Sequence, residues 1–161
     1  MIVRLVVGTV LAATLLGVAA QPLSTARADA ADAAVDRQVT ALGERLQSMV
    51  ATDDPTRGRG ARRVAEIRLP ARTWTSAAVR RLRFHTREGV GVASWRVGGA
   101  TNRTKRLVGV QIRPVGEALT LRESGTHRLA FGYRRQSGAP VVTVRHVGRQ
   151  RGDGEVQADA S

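Results

Sequence analysis

At 161 residues the chain is long enough for one domain with appendages, and it has no cysteine, which excludes a disulfide framework, a thiol nucleophile and a thiolate metal site. The formal charge of +13 comes from 25 arginines and one lysine, Lys105, and is concentrated between residues 57 and 151, where twenty-two basic side chains face four acidic ones. Such a field favours polyanions or acidic surfaces as partners and is silent on fold.

The first element is apolar. After Arg4 the chain runs from Leu5 to Ala20 without a charge. Sixteen helical residues span about 24 Å, slightly short of a bilayer core of about 30 Å. Ile2 and Val3 extend the run if Arg4 snorkels to the interface. The segment is therefore either a long signal-peptide core or a short membrane anchor. Small residues suited to signal peptidase occur at Val18–Ala20 and Ala26–Ala28. The expectation is that residues beyond about 30 are exported, either tethered or released.

From Asp29 to Ala51 the apolar residues Val35, Val39, Leu42, Leu46 and Met49 fall at alternating spacings of four and three. That spacing predicts an amphipathic helix over 29–54 with one stripe, as in a coiled-coil seam. Two destinations suit the stripe: a partner helix in an assembly, or the chain's own C-terminal domain. Gly43 and the short seam argue against an autonomous coiled coil. Pro55 forbids continuation beyond Asp54. The arginine-glycine stretch that follows reads as a linker over 55–62, because it lies between a helix stop and a strand-like run and contains no aromatic residue for base stacking.

Beyond Arg63 the period changes to two. Ile67 and Leu69 share one face, as do Leu82 and Phe84. Gly91, Ala93, Trp95 and Val97 form a third set, and Val108, Val110 and Ile112 a fourth. Leu119 with Leu121, and then Leu129, Phe131 and Tyr133, complete the pattern, and Gly138 and Pro140 supply turn chemistry for a final hairpin. The predicted fold class is α+β: an N-terminal apolar helix continuing into an amphipathic helix, then a small antiparallel β domain over 63–147, a sandwich or a curled sheet. Residues 148–161 read as a disordered tail.

No constellation for catalysis is present, and the expectation is a non-enzyme with no cofactor, no metal and no small-molecule substrate. His85, His127 and His146 lack the close spacing of a metal motif. Ser94 and Ser124 have no evident partners for nucleophilic chemistry. Asn102-Arg103-Thr104 is an N-x-T glycosylation acceptor on an apparent turn. The alternate strand positions are often arginine, and Arg68, Arg81 and Arg83 form a candidate face for a polyanion or acidic surface; the plain alternative is a solvated sheet face.

The order of apolar helix, amphipathic continuation and C-terminal β domain resembles type IV pilins and pseudopilins in layout. The segments around 53–71, 96–110 and 121–145 also resemble a small uncharacterised haloarchaeal family, whose members carry such an N-terminal segment and tend to be encoded near type IV pilus or secretion genes. The resemblance implies a cell-envelope role with the C-terminal domain outside, membrane contact through the N-terminal helix, and pilus-like or envelope protein partners. It carries over no catalytic residue. The prepilin-peptidase pattern is not matched, since Arg4 is followed by Leu5 and position 9 is Thr9.

Overall fold

The computed structural model describes residues 22–57, 62–98, 100–116 and 118–150 in full, and residues 2–21 by their backbone alone. It is an α+β structure, with one helix followed by two four-stranded, mostly antiparallel sheets. Helix α1 spans Ile2–Thr52 and includes Pro22. Among the described residues no helix is long and apolar enough to cross a membrane. The side chains of the apolar run 5–20, expected to be an anchor or signal segment, lie outside the described residues.

Strands β1 (Arg62–Leu69), β7 (Gly125–Gln136), β8 (Ala139–Gln150) and β5 (Gln111–Pro114) form one sheet in that spatial order, with β5 parallel to β8. Strands β4 (Asn102–Val108), β3 (Val90–Val97), β2 (Val79–Arg87) and β6 (Thr120–Leu121) form the other, all antiparallel. Two tight hairpins set the register. Glu88 and Gly89 have φ of 51° and 80°, and Ser137 and Gly138 have φ of 50° and 82°. Paired positive φ values are those of the two-residue turns whose twist matches a hairpin. The last turn is thus made by Ser137–Gly138, while Pro140 already pairs with Arg135 inside the β7–β8 ladder.

The sheets face each other through the residues that alternation predicts. Ile67, Leu69, Leu82, Phe84, Trp95, Leu129, Phe131 and Val144 are all buried, and Phe84 and Phe131 meet edge to face at 6.3 Å between ring centroids. One corner is closed by a side chain. The Thr86 hydroxyl on β2 accepts from the Ile112 N–H at 3.0 Å and donates to the Ile112 carbonyl at 2.8 Å, so both outward backbone groups of Ile112 on the β5 edge are satisfied. Thr86→Val keeps the shape and removes both bonds, and should lower stability by about 1–3 kcal/mol in urea unfolding, whereas Thr86→Ser should lose far less. Equal losses in the two variants would show that the hydroxyl contributes nothing.

The opposite gap is filled by α1, where the structure answers the question left by the stripe. Val35, Val39, Leu42, Leu46 and Met49 are each at most 4% exposed and belong to one core with the strands. The seam expected for a partner helix is therefore occupied by the chain's own sheets. Around the stripe, polar contacts dock the helix on both sheet edges. The Gln38 amide accepts from the Arg68 N–H at 2.7 Å and donates to its carbonyl at 2.9 Å, capping β1. On the β4 side, Lys105 pairs with Asp36 at 2.9 Å and Arg103 with Asp32 at 2.9 Å. Covering both edges also protects them from pairing with another chain. Gly43 lies where the helix passes close to β4, since a Cβ there would sit 3.4 Å from the Leu107 carbonyl oxygen.

Three boundaries differ from the sequence reading. The expected single strand through Val108, Val110 and Ile112 is broken at Gly109–Val110, so that β4 and β5 belong to different sheets. The start of the linker is held, because the Arg135 N–H donates to the Thr56 carbonyl at 3.0 Å and Arg63 pairs with Asp53 at 2.9 Å; residues 58–61 lie outside the described residues. Strand β8 continues to Gln150, so residues 148–150 of the expected tail are strand, and 151–161 lie outside the described residues.

Candidate functional site

A concentration of like charge sits on the outer face of the β2–β3–β4 sheet and continues around its end. Arg81 lies directly opposite Arg96 in the β2–β3 ladder, and Arg83 stands opposite Ser94 on the same face. All three arginines are exposed, and among the described residues none of them pairs with a carboxylate. Like charges directly opposite one another weaken a sheet, so this face is not arranged for stability. The other sheet is arranged differently: Glu66 lies opposite Arg128 across β1 and β7 and pairs with it at 3.7 Å.

A local irregularity enlarges the basic surface. The ladder shifts between Val79 and Arg81, leaving Arg80 as an extra residue, so that Arg80 and Arg81 are both exposed. Such a bulge re-aims a side chain that strict alternation would have turned inward. Arg80 then joins Arg27 of α1, Arg72 of the 70–78 loop and Arg122 beyond β6 around a cleft of about 610 Å³. The loop is fastened to the helix: the Ala77 N–H donates to the Arg27 carbonyl at 3.1 Å, and the Arg27 Nε donates to the Trp74 carbonyl.

Of the polyanion residues expected from sequence, Arg81 and Arg83 stand together and Arg68 does not join them, because β1 belongs to the other sheet. Asn102 is the exposed first residue of β4, opposite Arg96, with its side-chain oxygen 3.4 Å from the Arg81 guanidinium. Arg27, Arg72, Arg80, Arg96 and Arg122 were not singled out by alternation. They come from five separate stretches, and only the repeated outward arginine hinted at them.

The histidines also regroup. His127 on β7 and His146 on β8 meet at 3.2 Å between Nδ1 and Nε2, while the His127 Nε2 lies 2.7 Å from the Glu123 carbonyl. A carbonyl only accepts, so His127 Nε2 carries the proton, its Nδ1 accepts, and His146 Nε2 donates. His85 lies elsewhere on β2, and its Nδ1 has no partner among the described residues. Among those residues no three metal-ligating side chains converge.

Burial holds the His127 imidazole below its ordinary value; the Glu123 carbonyl opposes this, and His146 and Arg149 reinforce it. The unfolded chain takes up this proton near pH ~6.5, the folded chain only at lower pH. The associated stability is therefore complete above about 6.5 and is lost as pH falls through the folded value. Urea midpoints measured from neutral pH downward should decrease, with a flatter profile in His127→Gln. An unchanged profile in that variant would place the titrating group elsewhere.

Residues 2–147 match the family described as Domain of unknown function (DUF7311). The chain belongs to this family. The match takes in α1 and nearly all of the two sheets, so the DUF7311 unit includes the helix together with the β part. No curated protein and no solved structure matches the chain.

Proposed function

We propose that this DUF7311 chain is a non-enzymatic cell-envelope protein, anchored by its N-terminal helix, that holds a basic β domain outside the membrane as a pilin-like accessory component of a surface or secretion assembly. The observation that carries this reading is the continuity of α1. Its early residues include the uncharged run 5–20, and its later residues are a layer of the domain core. A helix with both properties ties the domain directly to whatever holds the run. Ala28 is already in the core and Arg27 binds the 70–78 loop, so removal of residues through 28 would cut into the packed unit. With the helix stripe filled internally, partners would meet the arginine face rather than the helix.

An intact mass of the protein from its native host, taken separately from membranes and medium, tests this. The full-length chain in the membrane fraction is the expected result. A chain beginning near Gln21 or Asp29 in the medium would overturn the anchored reading.

A second reading, an exported module that captures DNA or an acidic glycan, is favoured by the opposed Arg81 and Arg96 with Arg83 beside them. Its affinity should fall linearly with the logarithm of salt concentration. Binding indifferent to salt would remove it.

A further inference from the structure

The arginine cleft lies at the end of the domain where α1 enters it, and an exposed tryptophan stands beside it. We infer that this end is a membrane-contacting surface: the cleft receives the phosphates of anionic lipid headgroups, and Trp74 and Leu23 enter the interfacial zone next to it. The inference rests on the anchored reading and specifies what the anchored domain touches.

Trp74 is 86% exposed, yet it is held in place. Arg27 donates to its carbonyl and places a guanidinium 6.0 Å from the ring centroid, and a turn from Thr73 to Ser76 closes the loop. Leu23, half exposed, lies one turn before Arg27 on the same helical face. An amphipathic indole beside an aliphatic side chain and arginines is the chemistry of a bilayer interface.

The cleft supplies the complementary charge. Arg27, Arg72, Arg80 and Arg122 line it, and among the described residues none of the four pairs with a carboxylate. Guanidinium groups bind phosphate oxygens in bidentate fashion. The distance also fits. Arg27 lies seven helical steps beyond Ala20, about 10 Å of rise, while each headgroup layer adds about 5–8 Å beyond the hydrocarbon core. That leaves the cleft within about one Debye length of an anionic surface.

The test uses the full chain with vesicles of phosphatidylcholine alone or mixed with phosphatidylglycerol. Trp95 is 1% exposed and serves as a shielded internal reference, so acrylamide quenching reports on Trp74, as Trp74→Phe would verify. The expected result is flotation with both vesicles, but a blue shift and protection of Trp74 only where phosphatidylglycerol is present. Each arginine removed should weaken this contact about fivefold, so Arg80→Ala with Arg122→Ala, or salt at about 1 M, should re-expose Trp74.

Equal exposure of Trp74 in both vesicles, with the chain still floating, would overturn the inference and leave the anchor standing. Flotation and protection only with phosphatidylglycerol would support the cleft and remove the anchor. A chain that floats with neither would remove both. Protection without vesicles by inorganic phosphate or duplex DNA at matched phosphate concentration would reassign the cleft to a soluble anion and overturn the lipid assignment.

Discussion

Leu42→Asp should unfold the β domain and not merely the helix that carries it. Leu42 is 4% exposed and lies between Val39 and Leu46 in the core shared by α1 and the sheets. An aspartate there forfeits the burial of a leucine and places a carboxylate among Val, Leu and Met side chains without a partner. Together these effects exceed about 4 kcal/mol, a large part of the 5–15 kcal/mol that holds a domain folded. The expected outcome is loss of the near-ultraviolet signal of Trp95 and of cooperative thermal unfolding. The exposed neighbour Glu44→Ala should change stability by less than about 0.5 kcal/mol. A Leu42→Asp chain that folds normally but no longer associates with a partner would restore the seam reading.

The second large effect centres on Asp32. Its Oδ1 accepts from the Trp95 Nε1–H at 2.8 Å, and its Oδ2 pairs with the Arg103 Nε at 2.9 Å. These two interactions differ in weight. Arg103 is 60% exposed at the side chain, so its ion pair is screened and contributes under about 1 kcal/mol. Trp95 is buried, and an indole N–H without an acceptor there costs about 1–3 kcal/mol. Asp32→Ala should accordingly destabilise by about 1–4 kcal/mol, while Asp32→Asn, which can still accept from the indole, should lose much less. In a double-mutant cycle with Trp95→Phe the two losses should be strongly non-additive. Additive losses would show that the hydrogen bond is not coupled to folding.

The strands were legible because a half-buried sheet forces a period of two. Ile67 and Leu69, Leu82 and Phe84, and Leu129, Phe131 and Tyr133 all face the core. Periodicity does not show where one sheet ends and the next begins, which is why β4 and β5 read as one strand. Nor does a stripe at Val35, Val39, Leu42, Leu46 and Met49 name its partner, since burying it in another chain or in one's own domain demands the same spacing. Charge complementarity was the further sign available: Asp32, Asp36 and Thr40 recur every helical turn, and Arg103 and Lys105 alternate on the strand that receives them. The arginine cleft was least legible, because a bulge at Arg80 and chain segments far apart in sequence assemble it.

If α1 is a layer of the domain rather than a handle attached to it, helix and sheets must open together. Amide hydrogen exchange on the full chain tests this most directly. The expected result is that amides from Ala31 to Val50 exchange only through the global opening that also releases β3 and β7, with the same free energy and the same denaturant dependence. Helix amides that exchange freely while β3 and β7 remain protected would contradict a shared core and return the stripe to a partner.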